Sequence, residues 1–403
     1  MSCARSYAPI ATEGAVRLNW MPVQPEARSA TARGSTAVQL PAPPWTLLGR
    51  LSASSLRDAA RAIGDTPLRS VRLWIDGRPR TLRLKLEACN PGGSIKDRTA
   101  LAMIEDLRRR DLLGPGSVLV ESTSGNLGVA LAYLAKAHGC RFHAVVDPHV
   151  SEPNLALLRE LDAEVDVVER ADAHGNYLKA RLERVQELCA ASPAYLWTDQ
   201  YRNEANPRAH AEGTAPEIAA ALPRVDAVVA AVSTGGTVAG LARFFHERSP
   251  GTVVVAVDVE GSVAIGGCAA RRFLTGIGSS RRSDFLGPGD CDAKIHVSDA
   301  RALSFCHLLW QETGMKVGGS SGAAIAGAVQ LLAERDDLRD VVCICPDDGR
   351  KYEESIFDRG WLAERGLDVS RRPTRVERID VEEPVDWASF VAEHVELTSS
   401  NDS

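Results

Sequence analysis

Ser117-Val118-Leu119-Val120 is a short apolar run; Ser122-Thr123-Ser124-Gly125-Asn126-Leu127-Gly128 follows as a hydroxyl- and glycine-rich turn, and Val129–Ala137 as a helix-like apolar segment. Four residues are too few for a helix and suit a strand buried on both faces. The same unit recurs outward from this stretch. Arg141–Val146 precedes the helical pattern Glu152–Leu161, and Val165–Val168 follows. Ala227–Val232 leads into Thr237–Phe245, then comes Thr252–Val259, and Ala323–Leu332 precedes Val341–Cys345. This alternation predicts an α/β protein whose mostly parallel sheets are covered by helices on both faces. Such sheets bind ligands at the carboxyl ends of their strands, where turns enter helices.

Composition removes several classes of function. The 403 residues carry 47 basic and 53 acidic side chains, a net charge of −6, which argues against a general nucleic-acid binder. No run approaches the ~18 apolar residues that a membrane-spanning helix needs. Nine cysteines without framework spacing read as reduced thiols of a cytoplasmic protein. Cys343 and Cys345 alternate in an apolar run and suit a strand better than a metal clasp. With no CxxC pair and no HExxH, no metal site is expected. Residues 1–45, rich in Ala, Ser, Pro and Arg, read as a flexible extension, with a transit peptide as the sharper alternative. Residues 367–403 read as an acidic surface tail that Trp387 and Phe390 could anchor.

Four turns carry candidate chemistry. In Ser122–Gly128, hydroxyls and an amide beside helix N–H groups suit a carboxylate, though they equally suit an ordinary N-cap. Ser233-Thr234-Gly235-Gly236-Thr237 also lies between a strand and a helix. Its glycines permit close approach, and successive N–H groups suit one phosphate; the turn lacks both a P-loop lysine and GxGxxG. In Asn90-Pro91-Gly92-Gly93-Ser94-Ile95-Lys96-Asp97-Arg98, Lys96 stands at the mouth of a helix, whose positive end lowers an amine's pKa and favours nucleophilic use; a solvated surface lysine is the plain alternative. Gly318-Gly319-Ser320-Ser321-Gly322 is a further serine-bearing turn. Together, a lysine, a phosphate cradle, a carboxylate-sized turn and a serine describe pyridoxal phosphate with an amino-acid substrate.

At these residues the chain resembles the cysteine synthase and cystathionine β-synthase family of pyridoxal-phosphate enzymes. The likeness runs in the family's order from Ile63-Gly64-Asp65-Thr66-Pro67-Leu68, through Ala205-Asn206-Pro207 and Gly213-Thr214-Ala215-Pro216-Glu217, to Pro346-Asp347-Asp348-Gly349-Arg350-Lys351-Tyr352. It implies fold type II, the tryptophan-synthase β-like fold: two three-layer α/β/α domains with mostly parallel sheets. The large cofactor-binding domain is expected over 46–92 and 206–366, the small mobile domain over 93–205, and the assembly is expected to be a homodimer. The resemblance makes Lys96 the covalent anchor, Asn126 the partner of the cofactor's 3′-oxygen, and Ser233, Thr234, Gly235, Gly236 and Thr237 the phosphate cradle. Ser320 would face the pyridine nitrogen; a hydroxyl there does not force that nitrogen to be protonated, which favours β-elimination. Thr123, Ser124 and Gln200 would bind the substrate's α-carboxylate.

The departures concern the branch. Ser233 stands where cysteine synthases usually have Gly, Leu127 replaces Thr, and Gly319 replaces Ile. The first histidine is His138, which excludes the N-terminal haem of animal cystathionine β-synthases, and the residues after Gly366 are too few for a regulatory domain pair. Asp147-Pro148-His149-Val150-Ser151, Asp172–Leu178 and Gln200-Tyr201-Arg202-Asn203-Glu204 resemble the 2,3-diaminopropionate branch of siderophore and antibiotic biosynthesis. That branch makes N-(2-amino-2-carboxyethyl)-L-glutamate from O-phospho-L-serine and L-glutamate. The implied reaction is β-replacement, with Lys96 as anchor and general base and with small amino acids, not nucleic acid or membrane, as partners. Arg181 and Tyr201 are the candidates for binding the charged substrates, an exposed helix arginine being the plain reading of Arg181. A cysteine synthase using sulfide, or a cystathionine β-synthase, is the alternative.

Overall fold

The computed structural model describes residues 42–171, 177–370, 373, 375–381 and 385–395. The expected extension over 1–45 falls outside these residues except at its end, where Pro44–Arg50 form a 3-10 helix and Trp45 is buried. Most of the Asp172–Leu178 motif also falls outside them.

The strands in chain order are β1 (Leu68–Ile75), β2 (Arg78–Leu86), β3 (Val118–Ser122), β4 (Arg141–Val146), β5 (Glu164–Val167) and β6 (Tyr195–Trp197), followed by β7 (Ala227–Ala231), β8 (Val253–Val259), β9 (Ala293–Val297), β10 (Val341–Cys345) and β11 (Val376–Asp380). They form a four-stranded sheet, β5-β4-β3-β6, and a seven-stranded sheet, β11-β1-β2-β10-β7-β8-β9. The small sheet is parallel throughout. The large one is parallel from β2 to β9, with β1 antiparallel to both β2 and β11.

Alternation along each strand divides its side chains between two cores. Val341, Cys343 and Cys345 face one core with the helices Asp299–Thr313 and Gly319–Glu334, and Val342 and Ile344 face the other with Gly236–Arg248. In the small sheet, Leu119 packs toward Lys96–Arg109 and Asn126–Ala137, and Val120 toward Leu178–Ala191. Each sheet is therefore the middle of three layers, as the α/β reading expects. Cys343 and Cys345 are buried thiols on a strand, and every described cysteine is free.

One expectation needs correction. Residues 367–403 are not simply a surface tail: Val376–Asp380 form the edge strand on β1, and Trp387–His394 form a helix. Trp387 is 4% exposed and donates its indole N–H to Asp348 Oδ1 (3.2 Å). The acidic residues hid an apolar stripe of Val376, Ile379, Trp387 and Val391 that joins the main core.

Candidate active site

The turn before the helix Lys96–Arg109 is packed too closely for side chains: a Cβ on Gly92 would strike Asp97, and one on Gly93 (φ +72°) would strike Trp45. Isolated bridges tie Ser94 to Asp347 and Val317 to Asp348, so this turn is held against the end of β10. Lys96 opens the helix with its amine pushed down to about 8 by burial, against the pull of the Asp347 carboxylate. Asp347 is buried, and its Oδ2 accepts from Asn126 Nδ2 (2.7 Å) and Tyr352 Oη (2.5 Å). Its Oδ1 is buried without a partner among the described residues. A second amine, Lys351 Nζ, donates to Asn126 Oδ1 and to the Gly92 carbonyl, 2.8 Å each, and so fixes which way the Asn126 amide faces.

The phosphate-sized turn lies at the end of β7. Gly235 caps the helix Gly236–Arg248 at φ +95°, which favours glycine. A Cβ there would meet Ser283 Oγ, and one on Gly236 would meet Asn206 Oδ1, so only glycine fits these two positions; the Gly236 N–H points to Thr234 Oγ1 (3.4 Å). Thr234 Oγ1 accepts from Asn206 Nδ2 (3.2 Å), and Ser233 Oγ donates to the Gly278 carbonyl (3.4 Å). Thr237 Oγ1 and Thr99 Oγ1 each lie 3.3 Å from His210 Nε2. Burial first, then the charges of Lys96 and Arg98, hold His210 far below the usual imidazole range, so it is neutral. Ser320 is buried in the first turn of its helix, and the space over Gly276 opens toward its hydroxyl and that of Tyr352.

The small sheet supplies the opposite wall. Gln200 Nε2 donates to the Ser122 carbonyl (3.0 Å), and buried Glu121 accepts from the Gln200 N–H (3.0 Å) and Thr198 Oγ1 (2.6 Å), which joins the ends of β3 and β6. Thr123 is buried, and its N–H donates to the Val145 carbonyl (3.0 Å). Ser124 Oγ accepts from Arg181 Nη1 (3.3 Å), which also pairs with Asp147 Oδ2 (3.3 Å). The Arg181 side chain is 13% exposed and its Nε has no partner among the described residues, so it is no solvated helix arginine. Burial raises the Tyr201 hydroxyl to about 12, against the nearby arginines Arg181, Arg281 and Arg272.

All thirteen residues singled out from the sequence thus lie on turns at strand ends and helix starts or on the elements that face them. Asp347, Lys351, Tyr352, His210 and Glu121 were not singled out as site residues; the first three lie in the quoted Pro346–Tyr352 motif, and the other two have no local signal. An amine at a helix mouth with no hydrogen-bond partner among the described residues, a glycine turn at a helix start, an amide and a hydroxyl form a donor set that fits an aldehyde bearing a phosphate and a ring nitrogen.

The model of a family described as pyridoxal-phosphate dependent enzyme matches residues 59–347. The chain belongs to the pyridoxal-phosphate dependent enzymes. Over 302 residues, 75% of the chain and 89% of the relative, this pyridoxal-phosphate enzyme is 43% identical to an N-(2-amino-2-carboxyethyl)-L-glutamate synthase of Ralstonia nicotianae. It is also similar to solved pyridoxal-phosphate-fold structures. One is an O-acetylserine dependent cystathionine beta-synthase from Helicobacter pylori, at 30% identity and TM-score 0.68 over 74% of this chain and 97% of the other. Another is an O-ureido-L-serine synthase, at 29% identity and TM-score 0.68 over 76% of this chain and 98% of the other. Among the described residues, no helix of this pyridoxal-phosphate enzyme is long and apolar enough to cross a membrane.

Proposed function

We propose that this enzyme catalyses β-replacement, joining O-phospho-L-serine to the α-amine of L-glutamate to give N-(2-amino-2-carboxyethyl)-L-glutamate and phosphate, a precursor of 2,3-diaminopropionate. Bound pyridoxal phosphate supplies the electron sink that acidifies the donor's Cα–H. Lys96 would hold the cofactor covalently and would take the donor's Cα proton; its lowered pKa favours the neutral amine that both roles need. Asn126, Ser320 and Ser233–Thr237 would hold the cofactor. Thr123, Ser124 and Gln200 hold the donor's α-carboxylate. Phosphate departs as the Cβ–O bond breaks, the acceptor nitrogen forms a bond to the same carbon and gives up a proton, and Lys96 would return a proton to Cα.

The observation that carries this reading is Arg181. Its guanidinium lies against Ser124 and pairs with Asp147, and its Nε has no partner among the described residues, so the turn that takes the carboxylate has a cation with a spare donor at its edge. A phosphorylated donor needs one; an acetylated donor does not. The 43% identity to a glutamate-using synthase supports the same branch. Closure of 93–205 over the cleft would exclude water from the reacting carbon. The free thiols support a cytoplasmic setting, and a homodimer is the family's expectation. Mass spectrometry of products from phosphoserine with single amino acids tests the proposal: glutamate is expected to couple first, and preference for sulfide over glutamate would overturn it.

A further inference from the structure

Three walls of the cleft meet on one side chain that belongs to none of them. Asn206, in the helix Ala205–Ala209, is 1% exposed, and its N–H donates to the Asn203 carbonyl (2.9 Å). Its Nδ2 donates to the Gln200 carbonyl (2.8 Å) and to Thr234 Oγ1 (3.2 Å), and Thr99 Oγ1, one turn past Lys96, lies 3.5 Å from its Oδ1. Gln200 belongs to the small-sheet wall, Thr234 to the phosphate turn and Thr99 to the lysine helix. The amide has one way to face. A backbone carbonyl accepts and cannot donate, so the atom against the Gln200 carbonyl is the nitrogen, and the oxygen is left for Thr99. Gln200 is itself held, because its N–H donates to Glu121 and its Nε2 to the Ser122 carbonyl (3.0 Å each). Gly236 completes the fit, since a Cβ there would run into Asn206 Oδ1.

The consequence falls on the hydroxyl of Thr234, which is buried. Its oxygen accepts from Asn206 Nδ2 and from the Gly236 N–H (3.4 Å), which occupies both lone pairs. A hydroxyl in that state can only donate, and its proton finds no acceptor among the described residues. The backbone of Thr234 is fixed as well, because Ser283 Oγ donates to its carbonyl (2.6 Å). The other hydroxyls of the turn are engaged differently. Ser233 Oγ spends its proton on the Gly278 carbonyl (3.4 Å), and Thr237 Oγ1 shares His210 Nε2 with Thr99 (3.3 Å each). A spare donor at a helix start is suited to an anion.

We propose that Asn206 is a positioning residue, which makes the Thr234 hydroxyl an obligate donor to the phosphate held by Ser233–Thr237. The proposal rests on the cofactor-binding reading of that turn given above. In Asn206→Asp the atom facing Thr234 becomes an acceptor; it takes the hydroxyl proton and leaves a lone pair toward the phosphate, at almost unchanged size and shape. The same oxygen would also face the Gln200 carbonyl, so the comparison needs a second variant, Thr234→Val, and a ligand that lacks the phosphate.

The full chain, freed of cofactor, is titrated with pyridoxal 5′-phosphate and with pyridoxal, which has the same aldehyde and ring but no phosphate, and binding is followed by absorbance. Loss of one charge-assisted donor is expected to weaken pyridoxal phosphate about tenfold or more in Asn206→Asp and in Thr234→Val, while pyridoxal stays within about twofold. Asn206→Asp should have a smaller effect in a Thr234→Val background, because the hydroxyl it redirects is gone. An equal weakening of pyridoxal would make Asn206 a structural residue and overturn the proposal. An Asn206→Asp effect of the same size in the Thr234→Val background would also overturn it. Loss of affinity in Thr234→Val with none in Asn206→Asp would overturn it and leave the cradle in place. Thr234→Val binding pyridoxal phosphate as tightly as the wild type would instead sink the cradle reading, and the proposal with it.

Discussion

Lys96 shows how one position acquires chemistry. A lysine amine in water stays protonated to above pH 10, but burial at this helix mouth brings it to about 8, with Asp347 resisting the shift. The neutral, aldehyde-reactive form therefore becomes dominant as pH rises through about 8. The rate at which stripped enzyme takes up pyridoxal phosphate, followed by absorbance, should rise through the same range. Asp347→Asn removes the carboxylate that raises the amine's pKa, so the profile should move to lower pH; a profile unmoved in that variant would exclude Asp347 as the tuning group. Lys96→Ala should lose the borohydride-fixed pyridoxyl label and at least about a thousandfold in turnover, as expected when anchor and base are removed together. Lys351 is a different case: its amine donates to Asn126 Oδ1 and so orients that amide.

At the scale of elements, the site depends on how closely neighbouring segments approach. The helix Gly236–Arg248 crosses the segment Ala205–Thr214 at Gly240, where a Cβ would run into the Pro207 carbonyl, a backbone atom with little room to yield. Gly240→Ala should cost about 1–3 kcal/mol by overpacking and weaken cofactor affinity through the displaced cradle, as read by urea denaturation and cofactor titration. A second junction is ionic. Arg98 joins Glu87 (2.7 Å) to Glu217 (2.6 Å), and Lys85 also reaches Glu217 (2.6 Å), which ties the start of the lysine helix to β2 and to Ala215–Ala221. Hydrogen bonds from Arg98 and Lys85 overcome burial and hold the Glu217 carboxyl near 2, below its ordinary 4.5. A depressed carboxylate contributes stability above its unfolded pKa and loses it as pH falls toward the folded one. Glu217→Gln should therefore flatten the loss of stability between pH 4.5 and 2. An acid limb as steep as the wild type's would show that other groups set it.

Across the whole molecule, the site is assembled from both sheets, and its rear wall depends on the end of the chain. Trp387 seals the region of Asp348, beside the motif that carries Asp347 and Lys351. Trp387→Ala should destabilise the protein by about 3–5 kcal/mol, measured by denaturant unfolding with the cofactor bound. A change under about 1 kcal/mol would mean that this helix is an appendage and not part of the core.

Much of this was legible in the residues because it depends on local pattern. Short apolar runs marked β3, β4, β7, β8 and β10 and longer helix-like apolar segments marked the helices between them, and the turns Asn90–Arg98, Ser122–Gly128 and Ser233–Thr237 carry their N–H groups wherever a strand enters a helix. The hairpin of β1 and β2 was also written locally, in Asp76-Gly77 with φ of +47° and +76°, but its arginine-rich strands concealed the alternation. Other features had no local signature. That Lys351 lies on Asn126, that His210 serves both Thr99 and Thr237, that Trp387 is core, and that Arg281 stands over the ring of Tyr201 are contacts between segments far apart in the chain. A sequence fixes which groups a turn offers; only the packing of one element on another decides which distant charges, hydrogen bonds and exclusions of water those groups meet, and these set the pKa of Lys96 and the charge of the cleft.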